Sequence, residues 1–149
     1  FLLEQGFENI TVLDISAKAL EKAKARLGDR AQLVTWIVSD ITQFQPETTY
    51  DIWHDRAVFH FLTEQEQIEK YLNIARKAAV GYLTIGTFSE NGPEKCSGLA
   101  IKQYTEEILS SVFASDFETL TTKRENHITP FGTEQNFVFC SFQRKTIKN

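Results

Sequence analysis

At 149 residues, with 42% hydrophobic and 24% charged residues, the chain has a globular balance that argues against disorder and is long enough for one domain burying roughly two thirds of its unfolded surface. Its net charge of -4 argues against nucleic acid, which demands a basic stripe, and no apolar run approaches the roughly 20 residues of a membrane span.

Phe1 to Gln5 read as the last turns of a helix, with Gly6 as its stop. A short apolar strand over Ile10 to Leu13 ends on Asp14, and Ser16 is placed to cap a helix whose Leu20, Ala23 and Leu27 recur at helical spacing until Gly28. QLVTWIV, residues 32 to 38, predicts the next strand, which stops at Asp40. After a loop around Pro46, Tyr50 to His54 predict a third strand. Thr63 and Glu66 have capping-box spacing ahead of a helix with Ile68, Leu72, Ala75 and Ala79 inward.

YLTIGTF, residues 82 to 88, follows Gly81 as a strand apolar enough to be covered on both faces. SENGPEKCSG then makes a loop, and a helix is expected from about Thr105 to Val112. Phe117 to Lys123 and Asn136 to Gln143 have no helix between them, only a loop with Pro130 and Gly132, so they should pair antiparallel. Strands alternating with helices predict a parallel α/β sheet, here ending in a hairpin, within a single domain over residues 1–149.

Cys96 and Cys140 lack CxxC spacing, which suits a reducing cytoplasm and leaves a single disulfide open. The three histidines have no metal-ligand spacing, so no metal is expected. FLLEQGFEN has neither a basic leader nor a small-residue cleavage site, and a signal peptide is not expected. Asp14, closing a buried strand, is a group that accepts hydrogen bonds from both hydroxyls of a ribose; a helix cap or loop carboxylate is the alternative. A nicotinamide-dependent oxidoreductase would use such an acid equally well.

Taken in order, VLDIS at 12 to 16, SDITQF at 39 to 44, YDIWHDRAVFHFL at 50 to 62, YLTIGTF at 82 to 88 and FVFCSF at 137 to 142 resemble the class I S-adenosylmethionine-dependent methyltransferases over nearly the whole chain. The resemblance implies a Rossmann-like fold, mostly parallel and closed by an antiparallel hairpin, with S-adenosyl-L-methionine as cofactor and a small-molecule acceptor. It maps the ribose-binding acid to Asp14, the adenine-packing residue to Ile15, and the adenine amino and ring-nitrogen contacts to Asp40 and the Ile41 amide. His54, Asp55 and Arg56 fall where the family lines the methyl-donor end and the substrate entrance. That makes Asp55 a cofactor candidate and Arg56 a substrate candidate, against the alternative of an Asp55–Arg56 ion pair. DRAVFHFL also looks like part of the thiopurine methyltransferase-related group. GPEKCSGL at 92 to 99 and HITPFGTEQNF at 127 to 137 resemble a bacterial subgroup and make Cys96, His127 and Gln135 substrate candidates, against a plain turn built on Pro130 and Gly132.

Methyl transfer from a sulfonium needs alignment above all, and a base only where the acceptor must lose a proton. His54, Asp55 and His127 are the first candidates for that base, whereas His60 among Phe59, Phe61 and Leu62 reads as a packed core histidine. The family's first strand and glycine-rich loop have no counterpart here, since the seven glycines form no cluster. A fragment or a naturally shortened enzyme, weak in cofactor binding, is therefore expected, and two unpaired strand edges invite a homodimer. A degenerate fold kept as a binding or oligomerising module is the non-enzymatic alternative.

Overall fold

A computed structural model describes residues 1–146, which fall into two units, Phe1–Gln45 and Pro46–Asn149. The division comes at the Pro46 loop, inside what the sequence reads as one continuous domain.

In the first unit, a 3-10 turn over Leu2–Gln5 is stopped by Gly6 in the left-handed region at φ 82°. Strand β1, Ile10–Asp14, pairs in parallel with β2, Val34–Val38, in a register that sets Asp14 opposite Val38. Helix α1, Ala17–Leu27, connects them. It starts where Ser16 Oγ accepts the Ala19 N–H at 3.2 Å, and it buries Leu20. Trp36 of β2 is fixed by its indole N–H, which donates to the Ala31 carbonyl at 2.9 Å.

The second unit is built on a four-stranded sheet in the order β3-β4-β8-β7. Strands β3, Tyr50–Arg56, and β4, Ala79–Phe88, are parallel, and the right-handed connection such a pair needs is helix α2, Gln65–Ala78. The capping box is one residue later than the sequence suggests. Glu64 and Gln67 form it, and the buried stripe of α2 is Ile68, Tyr71, Ala75 and Ala78. Ile68 and Ala75 lie on the predicted inner face, Tyr71 and Ala78 take the places expected of Leu72 and Ala79, Leu72 is half-buried, and Ala79, fully buried, opens β4.

Two short strands, β5, Lys95–Cys96, and β6, Leu99–Ala100, form a small hairpin in the connection from β4 to α3, Glu106–Phe113. Ser97 and Gly98, at φ 51° and 80°, make its tight turn. The sheet closes with β7, Phe117–Ile128, and β8, Glu134–Arg144, antiparallel to each other, while β8 is antiparallel to β4. β7 runs well past the expected end at Lys123, to Ile128, whereas β8 keeps the expected Asn136 to Gln143 and adds only Glu134, Gln135 and Arg144. Cross-strand pairs extend as far as Ile128 opposite Glu134, leaving only residues 129–133 as loop, with Gly132 at φ 77°.

The core lies between the helices and one face of this sheet. Phe59, Tyr71, Tyr104, Phe113 and Phe142 are essentially inaccessible to solvent, with ring centroids of successive partners 4.9 to 5.4 Å apart for the Phe59–Tyr71, Phe59–Tyr104 and Phe113–Phe142 pairs. Burying each such ring contributes roughly 1.5–3 kcal/mol; on the opposite sheet face the Phe88 and Phe137 rings, 4.8 Å apart, are buried as well.

Candidate functional site

Two acids end the two strands of the first unit. Asp14 Oδ1 accepts the Ser16 N–H at 2.7 Å, and the Asp14 carbonyl accepts the Ser39 N–H at 3.1 Å. Asp40 caps a 3-10 turn over Ile41–Gln43, where its Oδ1 accepts both the Thr42 N–H at 2.7 Å and the Thr42 hydroxyl at 2.8 Å. Each carboxylate therefore does the local capping work weighed as the alternative reading, and does it with one oxygen. Oδ2 of each has no partner among the described residues. Since β1 and β2 are adjacent and parallel, both acids stand at the carboxyl edge, where open α/β sheets bind ligands. Ile15 is 71% exposed beside Asp14, as a ring-packing residue must be. Ile41 is buried, so what it can offer a ligand is its N–H, the first of its turn and without an intrahelical acceptor.

The second unit separates residues that the sequence groups together. Successive strand residues point to opposite faces, so Asp55 and Arg56 at the end of β3 are turned apart, and the ion pair weighed as the alternative reading does not form. Asp55 turns into the core. Its Oδ2 accepts the Tyr71 hydroxyl at 2.7 Å, and its Oδ1 accepts the Val58 and Phe59 N–H groups at 3.0 and 3.3 Å. Burial raises its pKa, against the lowering effect of those bonds. Trp53, on the same face, donates its indole N–H to the Tyr71 oxygen at 3.0 Å. A carboxylate so fully engaged anchors the turn after β3, and neither oxygen is left for a ligand.

His60 is fully buried, as the core reading requires. Its Nδ1 accepts the Phe88 N–H at 3.3 Å, its ring lies 4.7 Å from both Phe61 and Phe88, and burial lowers its pKa to about 4.

The sheet face opposite α2 and α3 collects most of the remaining candidates. Arg56 stands opposite Gly86, Gly86 opposite Phe139, and Phe139 opposite Lys123; Phe137 is opposite Glu125, and Gln135 opposite His127. Alternation puts all of these side chains on one face. The Arg56 guanidinium lies 5.7 Å from the Phe137 ring centroid, His127 meets the same ring edge-on at 6.5 Å, and Phe137 stacks with Phe139 at 5.7 Å. His54 is on this face too, exposed beside the Thr84–Ser141 hydroxyl pair, 3.1 Å apart.

The carboxyl of Glu125 is held below its usual range, first by the Lys123 ammonium at 2.9 Å and then by the charges of Arg56 and His127. Gly86 permits this packing, because a Cβ there would lie 2.3 Å from the Phe139 ring. His127 and Gln135 are thus strand residues in register and not parts of a loop. Cys96 does not join them; it is half-buried in the β5–β6 hairpin, and both cysteines are free thiols.

Sequence reasoning missed Phe137 and Phe139 as site residues, although aromatics at alternate positions of a strand are the signal for one shared face. No signal pointed to Tyr71. No group of three or more His, Cys, Asp or Glu side chains able to hold a metal occurs among the described residues. Among the described residues no helix is long and apolar enough to cross a membrane.

Comparison with known proteins adds to this geometry. Residues 1–80 match the family profile described as methyltransferase domain. The chain is 34% identical over 101 residues to a malonyl-[acyl-carrier protein] O-methyltransferase of Anoxybacillus flavithermus, covering 65% of this chain and 38% of that protein. It thus spans well under half of the curated relatives it matches. The N-methyltransferase NodS of Bradyrhizobium japonicum in complex with S-adenosyl-L-homocysteine superimposes with a TM-score of 0.71 at 16% identity, over 93% of this chain and 67% of that one. The 1,6-didemethyltoxoflavin-N1-methyltransferase of Burkholderia thailandensis gives 0.71 at 18% identity, over 97% and 64%. Both likenesses are of fold, and the fold is Rossmann-like.

Proposed function

Because this chain belongs to the methyltransferase-domain family, we propose that it serves S-adenosylmethionine-dependent methyl transfer to a small-molecule acceptor in the cytoplasm. The observation that carries this reading is the pair of spare Oδ2 atoms on Asp14 and Asp40, at the carboxyl ends of adjacent parallel strands. The residues fit the adenosyl half of the cofactor. Asp14 would accept from the ribose hydroxyls, Asp40 from the adenine amino group, Ile15 would cover the ring and the Ile41 N–H would donate to it.

When bound, the cofactor supplies a methyl group on a positively charged sulfur that is already a good leaving group. The task left to the chain is to bind, orient and exclude water. Arg56, His127 and Gln135, gathered on the open face, are assigned to the acceptor. His54 and His127 are the exposed groups available to take a proton if the acceptor must lose one. Asp55 is reassigned from cofactor contact to positioning, because its oxygens are already engaged. The family match speaks against the nicotinamide alternative.

Titration of the 149-residue chain with S-adenosyl-L-homocysteine, followed by amide NMR, tests this reading. Shifts are expected at residues 14–16 and 40–42, with affinity falling about tenfold in Asp14→Asn, a loss in line with one charge-assisted hydrogen bond. Silence of both segments at millimolar ligand would overturn it. No glycine cluster cradles the methionine end, so weak binding is expected.

The 149 residues are further read as one domain, which calorimetry should show as one cooperative transition. β1 and β3 each have a strand partner on one side only among the described residues. A second copy adding to either edge would form a homodimer, and sedimentation as a monomer at high concentration would exclude it.

A further inference from the structure

Arg56 is an exposed arginine with no hydrogen-bond or ion-pair partner among the described residues. Nine ion pairs occur among those residues; the arginines at 30, 76 and 144 each take part in one and Arg124 in two, while Arg26 on α1 is, like Arg56, without one. Its guanidinium lies over the Phe137 ring, 5.7 Å from the centroid, at the carboxyl end of β3. A cation–π contact at that range draws the side chain toward the ring, while its N–H donors meet no acceptor among the described residues. Beside it, the Phe139 ring occupies the space a Cβ of Gly86 would take, is half-buried, and stacks with Phe137 within 19° of parallel. The one carboxylate close by, Glu125, is already met by Lys123 at 2.9 Å. The face therefore carries an unanswered positive charge next to a flat apolar shelf.

We propose that this face binds a planar, anionic small molecule, an aromatic carboxylate, with its carboxylate in the fork of Arg56 and its ring against Phe139. Resting on the reading of the chain as a methyltransferase, this ligand is the methyl acceptor: its carboxylate serves recognition, and a hydroxyl or amino substituent on its ring would take the methyl as the cofactor's carbon–sulfur bond breaks, giving up its proton to solvent and leaving S-adenosyl-L-homocysteine. A bidentate arginine–carboxylate contact fixes both distance and plane, and in-line transfer requires that kind of orientation. An amine or a neutral ring would leave the guanidinium unpaired, so the site discriminates by charge as well as by shape.

The test titrates the 149-residue chain with benzoate, benzamide and acetate, following amide NMR shifts in wild type, Arg56→Gln and Phe139→Leu, with melting curves confirming that the variants fold. Benzoate is expected to shift residues of β3, β7 and β8 and to bind about tenfold tighter than benzamide or acetate; Arg56→Gln should erase that preference. Equal affinity for benzoate and benzamide, shifts confined elsewhere, or an unchanged preference in Arg56→Gln would each overturn the proposal. S-adenosyl-L-homocysteine, titrated separately, keeps the two readings apart. A response at Asp14 and Asp40 with no charge preference on the sheet face sinks this inference alone. The reverse pattern leaves an anion site without its role as acceptor site.

Discussion

The Tyr71 hydroxyl donates to Asp55 Oδ2 at 2.7 Å, so that helix α2 holds, from beneath, the carboxylate that ends β3. The same oxygen of Tyr71 accepts the Trp53 indole N–H, which makes it the hub of a buried polar chain. Position along β3 decides the rest. Because Asp55 points down into this chain, Arg56 must point up onto the open face.

Removing the hub should therefore be costly. Tyr71→Phe leaves Asp55 Oδ2 and Trp53 Nε1 without partners in a dry environment, and each orphaned group carries a penalty of roughly 1–3 kcal/mol. A loss of about 2–4 kcal/mol in urea unfolding is expected, with most of the ring packing kept. A loss below half a kilocalorie per mole would mean that water reaches both groups.

Much of this architecture is legible in the chain because local signals agree with global ones. Asp14 and Asp40 follow short apolar runs and precede capped turns, and the strand edge they mark follows from the alternation of strands and helices. What stays hidden depends on contacts distant in sequence. Thr63 and Glu64 can both start a helix, and spacing alone does not choose between them; Tyr71 is likewise placed inward by partners far away in the chain, Asp55 and Phe113. The reach of β7 to Ile128 is likewise decided by its pairing with β8, since neither KREN nor TEQ has strong strand preference alone. Asp55 and Arg56 look like a pair in the sequence because adjacency in the chain and adjacency in space are easily confused on a strand.

Gly81 provides a second test of packing. A Cβ there would stand 2.4 Å from the Asp51 carbonyl oxygen, at the irregularity in register between Tyr50 and Ile52. The nearest atoms all belong to the Asp51 backbone, so no flexible side chain can move aside. Gly81→Ala is expected to cost about 1–3 kcal/mol by overpacking, measured by urea unfolding. Gly98→Ala makes an informative comparison, because nothing lies within 4 Å of a Cβ there and its penalty comes only from φ at 80°. Equal losses in the two variants would show that the register at β3 relaxes freely.

His60 makes stability depend on pH in a direction that can be fixed in advance. Burial lowers its pKa from 6.5 to about 4, so the folded protein keeps the ring neutral while the unfolded chain takes up a proton near pH 6.5. The unfolded state then binds more protons through that interval. The contribution of His60 is complete above pH 6.5 and is lost as pH falls toward about 4, with a slope approaching about 1.4 kcal/mol per pH unit. Asp55, whose pKa is raised by burial, titrates in the opposite sense, favouring the fold at low pH and opposing it as pH rises through its folded value. The two must be separated by a variant. His60→Gln can still offer an acceptor to the Phe88 N–H but carries no titrating ring. The difference in unfolding free energy between wild type and His60→Gln is therefore expected to be flat above pH 6.5 and to turn against the wild type below it. Parallel profiles from pH 7 to pH 4.5 would show that the histidine is hydrated and protonated in the folded state, contrary to its burial against Phe61 and Phe88.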